Sequence, residues 1–279
     1  MHKIGSSERP DLPLAVVVGA GGMGIAVARR LGQSCRLLLA DRDEDVLAQH
    51  SAALRIEGFD VQTARCDVTI GADVDALVAR AAELGSARVV AHVVGLSPSM
   101  GDFRQIMAVN LQGARRVEQG FREQARPGSC AIFISSMGGH LKPWSAAVQR
   151  LIDDPLAPDF LAAIEAALEE PITPTLAYQL SKAALNRMCR REAFAWGSRG
   201  ARIVSLSPGM IATPMGAIEF ERQPVKHDLL RATPLQREGT LLEIANVVEF
   251  LASDRASFIS GTDILVDGGL VGTLQERSA

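Results

Sequence analysis

The residues best suited to do chemistry in this sequence are a tyrosine and a lysine four positions apart, Tyr178 and Lys182. On a helix, residues four apart share one face, so the two side chains would lie side by side. A free tyrosine has a pKa of about 10 and is a poor acid or base at neutral pH. Because a nearby cation favours tyrosinate, the pair indicates a tyrosine acid/base assisted by lysine. The alternative is that Tyr178, the only tyrosine in the chain, is a core aromatic beside a surface lysine.

A glycine-rich turn stands near the start of the chain. The apolar run Leu14–Val18 is typical of a strand buried on both faces. It is followed by Gly19-Ala-Gly-Gly-Met-Gly24, a helical stretch over Ile25–Gln33, and a second apolar run over Cys35–Ala40. That second strand ends at Asp41, 22 residues after Gly19. This order matches the dinucleotide-binding fingerprint, in which the acid holds the ribose hydroxyls.

The glycines of this turn have separate roles in that fingerprint. Gly19 permits the tight turn, Gly21 lets the backbone approach the pyrophosphate, and Gly24 lets the helix pack on the strand. Free N–H groups at the start of the helix would bind the phosphates. The turn also reads as Gly19-x-x-Gly22-x-Gly24, so both assignments of the phosphate contacts stay open. A purely structural turn is the alternative.

Strands alternate with helices along the rest of the chain. The pattern predicts helices over 43–57, 72–84, 103–124 and 240–252, and strands over 60–66, 88–94, 129–135, 202–206 and 264–266. The helix at 240 opens with a threonine followed three residues later by Glu243, a capping box. The alternation predicts an α/β fold: a single Rossmann-type doubly wound domain over residues 1–279, with a parallel seven-stranded sheet and helices on both faces. The ligand would lie beyond the carboxyl ends of the strands.

Composition and charge exclude several classes of protein. The apolar content of 47% and the formal net charge of −3 do not favour a nucleic-acid or anionic-membrane partner. No apolar run approaches the roughly 20 residues of a membrane helix, and the polar segment before Leu14 lacks the apolar core of a signal peptide. Four widely spaced cysteines indicate reduced thiols, and five scattered histidines give no metal-ligand spacing. We expect a cytoplasmic protein without a metal site.

These segments together resemble the short-chain dehydrogenase/reductase family over nearly the whole chain. The motifs stand in the family's order: the glycine turn, Asp41, Cys66-Asp67-Val68, Asn110 within Val-Asn-Leu, Ser136, Tyr178 to Lys182, and Pro208-Gly209 with Thr213. The resemblance implies an NAD(P)(H)-dependent oxidoreductase that interconverts a secondary alcohol and a ketone or aldehyde carbonyl by hydride transfer.

The resemblance also implies a role for each catalytic residue. Tyr178 would be the general acid in reduction and the base in oxidation, while Lys182 would hold the nicotinamide ribose and favour tyrosinate. Ser136 would hydrogen-bond the substrate oxygen. It is preferred to Ser135 because it stands three residues before a glycine. Asn110 would hold a water that links Lys182 to solvent.

The cofactor contacts that the resemblance implies extend along the chain. Asp67 would meet the adenine. Asp41 favours the free ribose diol of NAD(H), whereas the guanidinium of Arg42 suits the 2′-phosphate of NADP(H), which remains the alternative. The complete set comprises Gly19, Gly21, Gly22, Met23, Gly24, Asp41, Arg42, Asp67, Val68, Gly95, Tyr178, Lys182, Pro208, Gly209, Ile211 and Thr213.

Three departures from the family pattern stand out. The glycine turn is one residue shorter than the family's usual G-x-x-x-G-x-G. His92-Val-Val-Gly95 replaces the usual Asn-Asn-Ala-Gly, so we interpret His92 as structural. The gap of 42 residues between Ser136 and Tyr178 implies an insertion at about 140–175. A related arrangement occurs in some bacterial 3α-hydroxysteroid dehydrogenase/carbonyl reductases. An amphipathic helix predicted over 158–170 would fold over one side of the cleft and alter subunit packing, in a homodimer or homotetramer.

The substrate itself is left open by the sequence. The residues expected around it are largely apolar and suggest a hydrophobic or alicyclic alcohol or ketone: Ser97, Pro98, Met100, His140, Trp144, Met215 and Phe220. Two other functions remain as alternatives, a catalytically silent NAD(P)-binding sensor and an enzyme similar to sugar-nucleotide epimerases.

Overall fold

The structure, a computed structural model, describes residues 11–213 and 225–278. The described residues form one seven-stranded parallel sheet in the order β3-β2-β1-β4-β5-β6-β7. The strands are β1 (Leu14–Val18), β2 (Arg36–Asp41), β3 (Val61–Arg65), β4 (Ala87–His92), β5 (Cys130–Ile134), β6 (Arg202–Pro208) and β7 (Asp263–Val266). The predicted fold class is confirmed.

Helices connect the strands. They are α1 (Gly22–Leu31), α2 (Glu44–Ile56), α3 (Gly71–Leu84), α4 (Phe103–Met107), α5 (Ala114–Gln124), α6 (Ala146–Ile152), α7 (Phe160–Ala167), α8 (Pro174–Gly197), α9 (Val225–Ala232), α10 (Leu241–Ala252) and α11 (Leu270–Ser278). Short 3₁₀ turns span Met137–His140 and Asp254–Ala256. The capping box of Thr240 and Glu243 at the start of α10 is present as predicted.

Two apolar cores cover the two faces of the sheet. Alternate residues of β1 point to opposite faces, because the side-chain period of a strand is two. Ala15 and Val17 pack with α1, α2 and α10, while Val16 and Val18 pack with α3, α5 and α8. Strands buried on both sides account for the continuous apolar runs in the sequence.

The register of the strands brings their carboxyl ends to one edge. Val18 pairs with both Ala40 and His92, and His92 pairs with Phe133. Successive strands are added from β1 to β3 on one side and from β4 to β7 on the other, so the switch point lies between β1 and β4. The turns that follow β1, β4, β5 and β6 therefore meet around one crevice.

The region between β5 and α8 departs in detail from the prediction. Its helix over 158–170 is shorter, Phe160–Ala167, and an additional helix, α6, precedes it. The apolar stripe is buried within the chain: Phe160 and Ile164 pack with Val148 and Ile152 of α6 and with residues of α4 and α8.

Candidate active site

The glycine turn after β1 is shaped by close backbone contacts. Gly19 has a φ of +105°, and a Cβ there would lie 2.9 Å from the amide nitrogen of Val94. A Cβ on Gly24 would lie only 1.8 Å from the carbonyl oxygen of Gly19. A Cβ on Gly21, which caps the N-terminus of α1, would meet no atom within 4 Å. Gly19 and Gly24 are thus required by packing, whereas Gly21 borders open space.

Asp41 ends β2 beside this turn. Its carboxylate accepts hydrogen bonds from the backbone N–H of Ala20 at 2.7 Å and of Asp43 at 3.1 Å. Asp41 and Arg42 line a cavity of about 290 Å³ next to the glycine turn. The predicted cofactor residues of the first half of the chain line the same cavity: Gly19, Gly21, Gly22, Met23, Gly24, Asp41, Arg42, Asp67, Val68 and Gly95.

Asp67 lines this cavity and is held by hydrogen bonds to Thr69. Its Oδ1 accepts hydrogen bonds from the backbone N–H of Thr69 at 2.9 Å and from the Thr69 hydroxyl at 2.7 Å. Burial opposes ionisation of this carboxyl, but the Thr69 hydrogen bonds and the charges of Arg42 and Arg65 outweigh it, so its pKa lies below the ordinary value. Asp67 is therefore a fixed anion in the cavity.

Tyr178 and Lys182 lie on helix α8. The helix begins where Thr173 accepts a hydrogen bond from the N–H of Leu176 at 3.1 Å and where Pro174 occupies the first turn. The Nζ of Lys182 lies 5.7 Å from the centroid of the Tyr178 ring. The predicted pairing of the two side chains on one helix face is present.

The ammonium group of Lys182 is buried. Only 4% of the residue is exposed, and Nζ donates a 2.9 Å hydrogen bond to the carbonyl oxygen of Ile134 at the end of β5. Burial disfavours the charged form and lowers the pKa of Lys182 from 10.5 to about 8. The lysine thus keeps a charge near neutral pH but can lose it within an accessible pH range.

Ser136 follows β5 and faces the tyrosine. Its hydroxyl accepts a hydrogen bond from the N–H of Gly138 at 3.1 Å. A Cβ on Gly138 would lie 3.5 Å from Ser136 Oγ and 3.2 Å from Tyr178 Cε1, so the glycine leaves room between them. Ser135 instead donates a 2.9 Å hydrogen bond to the backbone oxygen of Lys182. The two neighbouring serines therefore differ: Ser136 borders the tyrosine, and Ser135 ties α8 to the sheet.

Asn110 lies in a π-helical segment, Ala108–Gly113, between α4 and α5. Its Oδ1 accepts from the N–H of Leu96 at 2.7 Å, and its Nδ2 donates to the Leu96 carbonyl at 3.0 Å and to Ser181 Oγ at 3.2 Å. The side chain is fully buried. Its amide atoms are thus already engaged by groups of the protein. Such π-helical segments are frequent at functional sites.

Comparison with known proteins identifies the family. Residues 13–148 match a family model described as short chain dehydrogenase, and residues 162–271 match one described as Enoyl-(Acyl carrier protein) reductase. The chain is 33% identical over 269 residues to the short-chain dehydrogenase/reductase bsc3 of Alternaria brassicicola, covering 95% of this chain and 97% of the relative. The chain belongs to the short-chain dehydrogenase/reductase family.

The chain is also similar to a second curated protein and, in fold, to a solved structure. A galactitol 2-dehydrogenase (L-tagatose-forming) of Cereibacter sphaeroides is 31% identical over 275 residues, which cover 94% of this chain and 96% of the relative. The crystal structure of a variant of actinorhodin polyketide ketoreductase with NADPH superposes with a TM-score of 0.75 at 22% identity, covering 94% and 98% of the two chains, and shows a shared fold. As a member of the family, the chain is an oxidoreductase acting on CH–OH groups, in a family that binds nicotinamide cofactors.

The main cleft of this short-chain dehydrogenase/reductase has a volume of about 730 Å³. Ser136, Tyr178 and Lys182 line it, and so do the predicted residues at the end of β6 and just after it: Pro208, Gly209, Ile211 and Thr213. Gly22, Met23 and Gly95 line both this cleft and the cavity at the glycine turn. The two spaces are therefore adjacent along the carboxyl edge of the sheet.

Several predicted substrate neighbours lie elsewhere. Ser97 and Pro98 line the cleft, but Met100 lines the cavity at the glycine turn. His140 and Trp144 line a third cavity. His140 is turned towards β7, where its Nε2 lies 2.8 Å from Oδ2 of Asp263. These three placements correct the prediction. Met215 and Phe220 lie outside the described residues.

The cleft also contains residues that the sequence reasoning missed. Thr175 precedes Tyr178 by three residues and so shares its helix face, a signal that the helical period offered. Gln179 is the next residue after the tyrosine. Five other additions lie within two residues of predicted ones: Leu96, Met137, Gly138, Leu141 and Met210. The rest come from segments that carried no local signal: Lys226, Leu229 and Glu238.

His92 lies in the sheet behind the cleft. It is fully buried, its ring lies 5.4 Å from that of Phe133, and neither ring nitrogen has a hydrogen-bond partner among the described residues. Burial, together with the charge of Lys182, lowers its pKa to about 3. A neutral imidazole packed in this way fits the structural interpretation of His92.

The cysteines and the possible metal ligands of residues 11–213 and 225–278 add no site to the one described above. The four cysteines are free and buried, and burial raises the pKa of Cys66 to about 12. Within the same ranges, no group of three or more His, Cys, Asp or Glu side chains converges on a metal site. Helices in these ranges lack the combination of length and apolar character that a membrane span requires.

Proposed function

We propose that this protein interconverts a secondary alcohol and a ketone or aldehyde by hydride transfer with NAD(H), using Tyr178 as general acid and base. One observation carries the proposal: Ser136, Tyr178 and Lys182 line the same cleft, next to a cavity bordered by the glycine turn. Two chain segments, helix α8 and the turn after β5, thus supply an acid/base, a cation and a hydroxyl to one space. These groups can protonate and orient a carbonyl oxygen while a bound nicotinamide supplies the hydride.

The residues around the glycine turn fit a dinucleotide. Open space at Gly21 leaves room for a pyrophosphate against the N-terminus of α1, where free N–H groups favour an anion. Asp41 would hold the adenine ribose, Asp67 would contact the adenine, and the residues after β6 would contact the nicotinamide. When bound, the nicotinamide supplies or accepts the hydride.

Tyr178 would transfer the proton. In reduction its hydroxyl would donate to the carbonyl oxygen, and in oxidation its oxygen would accept the proton of the alcohol. The charge of Lys182 favours tyrosinate, and two of the three donors of its ammonium group remain for the nicotinamide ribose. Ser136 would donate a hydrogen bond to the substrate oxygen and orient it towards Tyr178.

We assign NAD(H) as the preferred cofactor, with NADP(H) as the alternative. The Asp41 carboxylate lies in the cavity where a 2′-phosphate would have to enter and would repel it. Both of its oxygens accept backbone hydrogen bonds, so the carboxylate is held in place. Arg42 lines the same cavity, and its guanidinium would favour the phosphate.

The substrate in this proposal is a hydrophobic or alicyclic molecule, with a hydroxysteroid as the model for its class. The cleft walls near Tyr178 are mostly apolar, with Leu96, Met137, Leu141 and Met210 among them. An apolar body would bury its surface there. The galactitol dehydrogenase relative acts on a polyol, so a polar substrate is the outcome that would revise this assignment.

We also propose one cytoplasmic domain that assembles as a homodimer or homotetramer. The segment at about 140–175, which resembles the insertion of 3α-hydroxysteroid dehydrogenase/carbonyl reductases, packs on α4 and α8 and would thereby change the surface available to a partner copy. Replacing 141–171 by a short glycine linker should alter the oligomer mass in light scattering. An unchanged oligomer mass would show that the segment takes no part in the subunit contact.

The proposed function is tested by a substrate panel. The protein is mixed with NADH and a series of ketones, or with NAD⁺ and the corresponding alcohols, and nicotinamide absorbance is followed. We expect turnover with alicyclic ketones and alcohols at lower KM than with polyols. Cofactor binding without turnover on any member would instead support a sensor.

A further inference from the structure

A second large cavity among the described residues borders the loop after β5, outside the substrate cleft. Its volume is about 850 Å³, and its walls come from residues 139–152, helix α8 and helix α11. Leu141 lines both this cavity and the substrate cleft. Nothing in the proposed reaction uses this space, although the segment inserted before α8 builds one of its walls.

Cationic side chains dominate the polar lining of the cavity. Lys142, Arg187 and Arg190 line it together with His140, while no Asp or Glu does so among the described residues. Lys142 pairs with Glu170, and Arg187 pairs with Asp153 at 2.6 Å. Two of the positive charges are therefore partly neutralised by carboxylates that do not line the cavity. Arg190 is exposed and has no acidic partner among the described residues. The cavity therefore presents at least one uncompensated guanidinium.

The cavity also has an aromatic wall. Trp144 lines it, with the Nζ of Lys142 lying 5.0 Å from the centroid of its ring. Ile152 and Leu141 add apolar surface. His140 is anchored through Nε2, 2.8 Å from Asp263, which leaves Nδ1 without a partner among the described residues. A planar apolar group can thus pack on Trp144 while an anionic group reaches the cations.

We propose that this cavity binds a small organic anion, a carboxylate or phosphate carried on a planar apolar body. Arg190 would make the main charge-assisted contact, since guanidinium matches the geometry of both anions. Trp144 would stack on the apolar body. The site is separate from the proposed cofactor and substrate positions, and it does not depend on the proposed reaction.

Tryptophan fluorescence gives a direct test. The chain has two tryptophans, and Trp196 is buried at 1% exposure, so a ligand in the cavity would alter the emission of Trp144. The probes are benzoate and phenyl phosphate, with benzyl alcohol as the neutral control. We expect a saturable change with both anions, none with benzyl alcohol, and loss of the signal in Trp144→Phe. Equal binding of benzyl alcohol, or no saturable change, would overturn the proposal.

Variants of Arg190 locate the site. Arg190→Ala should weaken binding of both anions about fivefold, as expected for a partly exposed ion pair. Arg190→Lys should recover part of this loss. Arg150→Ala is the matched control, because Arg150 is also exposed but does not line the cavity. Equal effects of Arg190→Ala and Arg150→Ala would contradict the assignment.

The salt dependence of anion binding can be measured on the unmodified protein, so this test does not depend on whether a variant folds. Added sodium chloride should weaken binding of both anions, because the proposed contacts are screened. Comparing the two probes separates a carboxylate preference from a phosphate preference. Binding that does not respond to salt would mean that the apolar wall alone holds the probes, and would overturn anion recognition.

Discussion

The Nζ atom of Lys182 donates a hydrogen bond of 2.9 Å to the carbonyl oxygen of Ile134. This contact joins helix α8 to the last residue of strand β5, two residues before Ser136. Ser135 adds a second tie, from its hydroxyl to the backbone oxygen of Lys182 at 2.9 Å. The position of the lysine, and with it that of Tyr178, is therefore set by the same strand that carries the serine.

Buried Lys182 should give the free protein a characteristic pH dependence. Its pKa falls from 10.5 to about 8 on folding, so between these values the unfolded chain binds more protons than the folded one. The free energy of unfolding should therefore rise with pH in this window, by about 1.4 kcal/mol per pH unit. Below pH 8 both states are protonated, and the full cost of burying the charge is present.

Lys182→Met isolates this effect. The variant lacks the titration, so its stability relative to the parent protein should be greatest near pH 7 and should decline as pH rises towards 10. The lost hydrogen bond to Ile134 shifts the comparison by a constant amount and leaves the pH slope unaffected. Urea unfolding at several pH values measures the difference. If the free energy of unfolding changes with pH in the same way for the two proteins, Lys182 has the same pKa in the folded and the unfolded chain, which would contradict the prediction.

Two glycines of the first turn should separate folding from cofactor binding. Gly24→Ala places a methyl group 1.8 Å from the Gly19 oxygen, which should lower the free energy of unfolding by about 1–3 kcal/mol or prevent folding. Gly21→Ala meets no atom within 4 Å, so stability should hold while cofactor affinity falls. Thermal unfolding and NADH titration of both variants provide the comparison. Unchanged NADH affinity in Gly21→Ala would place the pyrophosphate elsewhere.

Asp41 and Arg42 should control cofactor choice in opposite directions. Asp41→Ser removes the carboxylate and should weaken NADH about tenfold, the usual scale for a charge-assisted hydrogen bond, while NADPH improves. Arg42→Ala should weaken NADPH and leave NADH nearly unchanged. The test is to measure the dissociation constants of NADH and NADPH for the parent protein, Asp41→Ser and Arg42→Ala. A parent protein that prefers NADPH would show that Arg42 outweighs Asp41.

Part of this site follows from local sequence and part does not. Tyr178 and Lys182 share a helix face because of their spacing alone, and the strand, turn and helix around Gly19 are equally local. The π-helical segment at Asn110 is held by contacts with Leu96, 14 residues away, and lay hidden within a predicted continuous helix over 103–124. His140 is drawn away from the cleft by Asp263, 123 residues later. Such tertiary contacts carry no periodic signal.

The segment before α8 should contribute to stability. Phe160 is 2% exposed and packs with residues of α4, α6 and α8, so Phe160→Ala should cost about 3–5 kcal/mol. Leu161 is the next residue but only partly buried, and Leu161→Ala should cost clearly less. Urea unfolding of both variants measures this. Similar small losses would mean that the segment packs loosely on the rest of the chain.

The identity of the acid/base is tested most directly by Tyr178→Phe. This change keeps the ring and removes the hydroxyl, so NADH affinity should stay near that of the parent protein while turnover falls by about 10²–10⁴-fold, the range expected for loss of a general acid. Ser136→Ala should also lower kcat, and Ser135→Ala serves as its neighbouring control. The deciding measurement is the single-turnover rate of NADH oxidation by Tyr178→Phe with the best ketone of the panel. A near-complete loss with intact NADH binding is the predicted result, and a rate equal to that of the parent protein would contradict the role of Tyr178.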